Sequence, residues 1–477
     1  PIAAKVSPTK RFGWAMPRLP VCFEALKSLV LPHNGQYRPA VVFITGASFS
    51  GQSQSRGVAE PKCEVDQCEF VRLNATKVVQ ASQVDYISVG MGLRRGAKSV
   101  SAGLSLSTDH RQARQQLNGQ LELLRSWIEH VADDPFMEQW APPSQSQGDA
   151  VSVAAPVEQV VEDLSVSAQG LDLVGLYAAG PLAFFMATSD GHLHWHRSLR
   201  SFFDFSVFAL KDKAIKGSWS GQVWSTANVG SKIEDARAKL DILFRPPVVL
   251  SPGRYRAVLS SEAVSDLLGL ACWGGFSARA HLTSQSPFSA LRSGEKQLSS
   301  KVSLVEDLQG FGIPRVQELG FLRPNQMPLI SKGRFSNWLC SPRTASEFSV
   351  KDNAASSGET PAALRLDGGT LDPSKALVAL EDGIYLSNVW YLNYSDRQSA
   401  RFTGMTRFAS LLVKGGKPIA PIAPMRFDDS FYSVFGENLI DLGRDVDRFD
   451  ELSTYGARAM GGVAAPCALV QDMQFPL

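Results

Sequence analysis

The stretch Phe202-Phe-Asp-Phe-Ser-Val-Phe-Ala209, followed by Lys211-Asp-Lys213 and then Ala214 to Val223, reads as one β-strand turning directly into another. Phe203, Phe205, Val207 and Ala209 fall on one side of the alternation, and Phe202, Asp204, Ser206 and Phe208 on the other. A period of two is the mark of extended chain, and aromatic residues on both sides fit a strand covered on both faces. A strand that follows a strand through a tight turn pairs antiparallel, so this stretch argues for antiparallel sheet. Upstream, Ile87, Val89, Met91 and Leu93 alternate, as do Val100, Ala102, Leu104 and Leu106, around the turn Arg94–Lys98. A helix opened by Thr108 or Asp109 then carries Ala113, Leu117, Leu121, Leu124, Ile128 and Val131 at helical spacing, with Pro135 to end it.

Further helices are expected at Pro156–Leu164 and at about Ile233–Leu243. A strand over Arg254–Leu259 leads into a helix capped by Ser260 and running to about Gly274, after which strands dominate. Strands in runs with flanking helices make the class α+β. Three polar stretches, Ala47–Gly57, Ala141–Ser152 and Asn353–Ala363, read as loops or linkers, and Arg245-Pro-Pro247 as a further boundary. The expected organisation is an N-terminal α/β segment (1–140), a middle antiparallel segment packed with it (150–245), and a β-rich C-terminal domain (246–477).

The 477 residues are 44% hydrophobic and 20% charged, an ordinary globular composition, and Lys plus Arg (48) nearly balance Asp plus Glu (46). That balance excludes a nucleic-acid wrapper, which needs a basic excess to neutralise phosphates. Six cysteines without a C-x-x-C pair make neither a disulfide scaffold nor a zinc ribbon, and fit a reducing compartment. The longest uncharged run, Leu173–Ser189, has 17 residues and is broken by Gly180-Pro181, short of the roughly 20 apolar residues of a membrane helix. With no apolar core to its N-terminal segment, the chain reads as soluble and cytoplasmic.

Val41-Val-Phe-Ile-Thr-Gly-Ala-Ser48 has the look of a nucleotide-binding strand and turn, but no Tyr-x-x-x-Lys pair exists to complete a dehydrogenase. Gly92-Leu-Arg-Arg-Gly-Ala-Lys-Ser99 comes one substitution short of a phosphate-binding loop, and a strand pattern follows where a helix is required, so it reads as a hairpin. His192, His194 and His196 share one face of a strand. Same-face neighbours stand about 7 Å apart on a flat strand, so two of the three, but not all, can reach one metal ion without a bulge.

The longest distinctive segment is Gly383-Ile-Tyr-Leu-Ser-Asn-Val-Trp-Tyr-Leu-Asn-Tyr-Ser-Asp-Arg-Gln-Ser-Ala-Arg-Phe-Thr-Gly-Met-Thr-Arg-Phe408, continued by Pro421-Ile-Ala-Pro-Met-Arg-Phe-Asp-Asp429. Together with Phe70–Val78, Leu173–Pro181 and Pro252–Arg256, it resembles the TldD/PmbA family of zinc metallopeptidases, in its TldE-like (PmbA-like) branch, from about residue 60 onward. The resemblance implies a peptidase assembly. TldD-like subunits carry His-Glu-x-x-x-His on a helix of the C-terminal domain, two imidazoles holding Zn²⁺ and the glutamate serving as base. TldE-like subunits share the fold without the motif. Here the corresponding helix reads Leu267-Leu-Gly-Leu-Ala-Cys-Trp-Gly-Gly275, so Gly269, Leu270 and Gly274 take the places of the first His, the Glu and the second His.

The resemblance thus implies no catalytic residue and no cofactor in this chain, with zinc in a TldD-like partner. It also implies a heterodimer with that partner or a homodimer, and a peptide as substrate. Asn393, Arg397, Arg401 and Arg407 are the peptide-binding candidates, on a strand–loop–strand suited to holding an extended chain by strand addition. Asp428 and Asp429, adjacent on a strand, face opposite ways. Two other readings stand beside this one: a metalloenzyme built on the His192/His194/His196 face, and a peptide- or partner-binding scaffold without enzymatic association.

Overall fold

A computed structural model of the chain describes residues 41–43, 63–150, 154–189, 191–210, 213–451 and 458–476. The polar stretch Ala47–Gly57 and the Lys211-Asp212 turn lie outside the described residues. The alternating segment at 202–209 is part of an eight-stranded sheet. Its first elements are β1 (Val41–Phe43), β2 (Cys63–Asn74), β3 (Lys77–Arg95), β4 (Lys98–Ser105) and helix α1 (His110–Trp127). Then come β5 (Gln145–Ala150), α2 (Val157–Ser167), β6 (Asp172–Ala187), β7 (Leu193–Leu210), β8 (Lys213–Gly221) and α3 (Thr226–Leu243). The strand order is β1-β3-β2-β6-β7-β5, with β4 beside β3 and β8 beside β7. β1 extends the slot of β2: β3 pairs with β2 up to Val89 and with β1 from Gly90, and β6 with β2 up to Phe185 and with β1 from Met186.

The Arg94–Lys98 hairpin forms as expected, pairing Arg95 with Lys98 around Gly96. Asp109 is the cap of α1, its carboxylate accepting the Gln112 N–H at 2.9 Å. Ala113, Leu117, Leu121, Leu124 and Ile128 bury against Ile87, Val89, Met91 and Leu93. The helix ends at Trp127, well before Pro135, because the chain beyond Ile128 is mostly polar and Asp134 is bound to Ala97 O at 2.7 Å and to Arg343. α3 begins at Thr226, seven residues before the expected start, where Ser225 caps the Asn228 N–H and Val229 joins Ile233 on the buried face. The polar stretch Ala141–Ser152 contains a strand, β5, parallel to β7 from Gln145↔Leu193 to Ala150↔Ser198. Backbone pairing orders this segment in the absence of large apolar side chains.

In the C-terminal part, β9 (Gly253–Leu259) enters α4 (Ser261–Ala271), followed by α5 (Ala278–Leu282), α6 (Ser289–Ser293), β10 (Leu304–Asp307) and α7 (Leu308–Phe311). β11 (Gln326–Ser331), β12 (Arg334–Phe335), α8 (Pro342–Phe348), β13 (Ala363–Leu366) and α9 (Ala376–Leu380) come next. The remainder is β14 (Gly383–Leu386), β15 (Asn388–Asp396), β16 (Arg401–Arg407), β17 (Leu411–Lys414), β18 (Lys417–Pro421), β19 (Arg426–Ser430), β20 (Leu439–Leu442), β21 (Asp447–Asp450), β22 (Gly462–Ala465) and β23 (Ala468–Phe475). The short helices between 278 and 348 interrupt the run of strands expected after Gly274; at one or two turns each they are too brief to show a 3.6-residue period. Two six-stranded sheets, β12-β11-β10-β13-β22-β21 and β18-β17-β14-β9-β23-β20, and the three-stranded β15-β16-β19 enclose a core rich in phenylalanine. Phe431 is its hub, with ring centroids 5.1 Å from Phe402, 5.4 Å from Phe288 and 6.0 Å from Phe435. The stretch Asn353–Ala363 is a loop, but a tethered one: buried Glu359 accepts Ser277 Oγ–H at 2.7 Å, Arg279 N–H at 2.9 Å and Ser341 N–H at 2.8 Å, bonding at the starts of both α5 and α8.

Buried ion pairs tie the C-terminal part to the first sheet, Arg200 with Asp450 at 3.7 Å and, more closely, Arg458 with Asp66. Arg458, 3% exposed, donates to Asp66 Oδ1 at 2.7 Å, to Arg200 O at 2.8 Å and to Gly180 O at 3.1 Å. Gly180 is required there: at φ +148° a Cβ would lie 1.8 Å from Gln67 O. Truncating the arginine leaves Asp66 as an uncompensated buried charge. Arg458→Met is therefore expected to destabilise the protein by about 3–5 kcal/mol, read as a lowered denaturant midpoint.

Candidate functional site

The functional reading turns on α4. Ser260 Oγ accepts the Ala263 N–H at 3.2 Å and donates to Ser387 O at 2.5 Å, while Ser260 N–H bonds Leu386 O at 2.9 Å. The helix therefore starts against the break between β14 and β15. Ala263, Val264, Leu267, Leu268 and Ala271 are buried in the core. Glu262, Ser265, Asp266, Gly269 and Trp273 recur every three or four residues on the opposite side and line a cleft of about 450 Å³. Across from them stand Lys216 and Ser218 of β8, Asp450 and Glu451 at the end of β21, and Asn388 and Val389 of β15, so both parts of the chain build the walls.

The cleft is acidic on its helix side. Asp266 Oδ2 accepts the Val389 N–H at 3.3 Å. Although open to water, its carboxyl is crowded by the walls, and this loss of hydration pushes it up to about 6, against the pull of the Val389 bond and of Lys216; Glu262 adds to the rise. Burial likewise raises Glu262 above the usual carboxylate range. Lys216 Nζ lies 3.5 Å from Asp204, which answers its charge. Asn388 is 6% exposed, and its Oδ1 has no hydrogen-bond partner.

The positions matched to the metal motif offer no donor atoms. Gly269 faces the cleft with open space where a Cβ would stand, and Leu270 is buried. Gly274 lies beyond the helix end at φ +76°, where a Cβ would meet Arg397 Nη2 at 2.5 Å. Burial pushes the Cys272 thiol up to about 12, with Glu306 adding to the rise, so the sulfur stays protonated at neutral pH. His281 is buried with Nε2 donating to Gly275 O at 3.0 Å, and lies edge-on to Phe335. The residues present at this helix do not fit a zinc ion.

Of the arginines of the distinctive segment, Arg397 serves this same helix end. Arg397 donates from Nε to Gln285 O at 2.7 Å and from Nη2 to Trp273 O, and Tyr394 OH donates to Leu270 O at 3.1 Å. Arg397 thereby satisfies the Trp273 carbonyl just past the end of α4, while Tyr394 adds a second bond to a Leu270 carbonyl that also accepts the Trp273 N–H. Arg401 pairs with Asp428 across β16 and β19, whereas Asp429 is buried on the other face and accepts the Gln474 N–H at 2.9 Å. Arg407 lies over the Trp390 ring at 4.3 Å, exposed, and Asn393 Oδ1 accepts the Tyr394 N–H at 2.8 Å. β15 is an edge strand, but its register shifts between Trp390 and Asn393 and Tyr391 sits at φ +50°, which breaks the regular row of donors and acceptors that strand addition uses.

Residues 252–476 match the model of the PmbA/TldA metallopeptidase C-terminal domain. By this match the C-terminal domain, residues 252–476, is of the PmbA/TldA metallopeptidase type. Its fold is that of TldE from Thermococcus kodakarensis, with a TM-score of 0.71 at 10% identity over 88% of this chain and 96% of that one. It is similarly close to two proteins described as candidate modulators of DNA gyrase. The one from Bacteroides thetaiotaomicron gives a TM-score of 0.69 at 13% identity, covering 96% of this chain and 98% of that one. The one from Thermotoga maritima gives 0.66 at 13% identity, covering 87% and 94%. Identities this low speak for a shared fold and no more. Among curated proteins no sequence matches significantly. No helix among the described residues is long and apolar enough to cross a membrane.

Away from the cleft, the three histidines are held by nearby backbone and serine groups, with His192 and His194 sharing Ser144 and standing 3.4 Å apart at Nδ1 and Nε2. His192 accepts the Ser144 N–H at Nδ1 (3.2 Å), so its Nε2–H donates to Ala141 O at 3.0 Å. His194 Nδ1 is 2.7 Å from Ser146 Oγ, and His196 Nε2 is 3.1 Å from Gly312 O. The first two are buried, and burial with His192 nearby lowers His194 to about 4. Among the described residues no three His, Cys, Asp or Glu side chains are placed to share a metal ion.

Glu262, Asp266, Lys216 and Asn388 escape a motif search. Only the first two leave a trace in sequence, as carboxylates four apart opposite an apolar helix face. Two outcomes test this geometry. The folded Asp266 binds its proton more tightly than the unfolded chain does, so its effect on stability worsens as pH rises from about 4 to 6 and stays unfavourable above. Asp266→Asn should therefore raise the melting temperature at pH 7.5, by a gain on the order of 1 kcal/mol after solvent screening, and leave it unchanged at pH 4. Gly269→Ala, with room for its methyl group, should stabilise the protein by about 0.5–1 kcal/mol in the same melts.

Proposed function

We propose that this chain is the TldE-like, non-catalytic subunit of a TldD/TldE-type zinc metallopeptidase complex that processes peptides. The observation that carries this is α4 itself. The helix is capped at Ser260 and supported at its far end by Tyr394 and Arg397, while Gly269, Leu270 and Gly274, which the sequence resemblance matches to a catalytic subunit's ligands and base, carry no metal-binding group. Arg397 occupies the space that a side chain at 274 would need. In this reading zinc and the hydrolytic step belong to a His-Glu-x-x-x-His partner, and this chain contributes the second half of a dimer and a wall for the peptide. Arg397 and Arg401 hold the architecture through internal bonds, leaving Asn393 and Arg407 as the surface groups able to meet a peptide.

A near-neutral chain associates through shape-matched apolar surface more than through long-range attraction. With a motif-bearing partner, the protein is expected to form a dimer whose mass by light scattering is the same at low and high salt, and which cleaves peptide in a chelator-sensitive way. The chain alone should show no such cleavage. Chelator-sensitive cleavage by the pure chain, abolished in His192→Ala/His194→Ala, would replace this reading with the histidine-face metalloenzyme. A clean monomer in the presence of the partner would leave a scaffold without peptidase association.

A further inference from the structure

We infer that the cleft beside α4 is a binding site for a primary ammonium group, such as the free N-terminus of a peptide or a lysine side chain. The inference uses the proposed function only to choose a peptide as probe; the site is complete within this chain and needs no partner. Glu262 and Asp266 lie one turn apart on the cleft face of α4, and among the described residues neither has a basic side chain within 4 Å. The other charges around the cleft are already engaged: Lys216 by Asp204 at 3.5 Å, and Asp450 by Arg448 at 2.6 Å and Arg200 at 3.7 Å.

An acidic face alone does not make a site; the amide of Asn388 supplies the independent sign. This side chain is more than nine-tenths buried at the cleft wall, and its Oδ1 accepts no hydrogen bond. A buried acceptor left empty is costly, so a donor arriving in the cleft recovers what folding gave up. An ammonium group is the matching donor. It carries three N–H bonds and no acceptor, against two carboxylates and one amide oxygen. At about 450 Å³ the cleft has room for a short peptide end, and Leu270, Val389 and Leu392 give apolar surface beside the acidic one. No bond forms or breaks in this step; the group is held, not transformed.

The charge state of the site follows from its neighbours. Asp266 faces Glu262 on its own helix, Lys216 on β8, Asp450 and Glu451 at the end of β21, and the Cys272 thiol at the end of α4. With its carboxyl near 6, Asp266 is an anion at pH 7.5 and largely protonated at pH 5, so ammonium binding should weaken on acidification.

The test is calorimetric titration of the isolated full chain at pH 7.5 with three probes: tetra-alanine with a free N-terminus, its N-acetylated form, and N-acetyl-lysine methylamide. A free amine in either position should bind at least tenfold more tightly than the acetylated peptide, and which amine binds identifies the source. Asp266→Asn, which keeps an oxygen for the Val389 N–H, and Glu262→Gln should each reduce that affinity to the acetylated level, as should lowering the pH to 5. Should Glu262→Gln fail to fold, Asp266→Asn and the pH series decide alone. Equal binding of free and acetylated peptide, no binding of any probe, or unchanged affinity in a folded Asp266→Asn would overturn the site. Failure to find a metallopeptidase partner would leave these titrations untouched, so the two readings fail separately.

Discussion

The guanidinium of Arg458 is the fixed point of this molecule. Its acceptors come from three adjacent strands: Asp66 on β2, Gly180 on β6 and Arg200 on β7. Those strands are in register at this level, Asp66 opposite Leu182 and Gly180 opposite Arg200. A one-residue slip of either pairing would turn Asp66 or the carbonyls away and leave a buried charge unanswered. The arginine thereby selects the register of the central sheet and docks the C-terminal part in one act. The cleft inherits that geometry, since Lys216 and Ser218 come from the first sheet and α4 from the C-terminal part.

Within the C-terminal part, α4 is held at both ends by side chains distant in sequence. Ser260 locks its start to the backbone of 386–387, and Tyr394 and Arg397 collect the carbonyls of its last turn. The helix is thus held by hydrogen bonds that need no metal ion. Its stability rests on caps and on an apolar face packed among phenylalanines; Leu270 belongs to that face, and Arg397 takes the space that a side chain at 274 would need. The outward face is then free to carry Glu262 and Asp266, whose raised protonation equilibria mark a place where charge is confined by walls rather than solvated.

Much of the fold was legible in the chain alone. The alternation at 202–209, the hairpin at 94–98, the Asp109 cap and the Ser260 cap are local, and local stereochemistry dictates them: a period of two for strands, an oxygen side chain before a helix. The family was legible for a related reason, a long segment from Gly383 to Phe408 whose residue order is distinctive. What local pattern misjudged were segments stabilised from afar. β5 has almost no apolar content and is a strand only because β7 lies beside it, and the loop around Glu359 is ordered by two helix starts it happens to reach.

The site divides the same way. That residues 269, 270 and 274 lack metal-binding atoms was written in the amino acids themselves, and so were the carboxylates at 262 and 266. That Arg397 and Arg401 are spent on holding the domain together, that His192 and His194 are buried beside Ser144, and that Lys216 and Asn388 join the carboxylates around one cleft, only the tertiary structure decided. The reason is physical. A side chain's type and local face follow from its neighbours in sequence, but whether its polar atoms are satisfied or left waiting depends on which distant strand is brought against it.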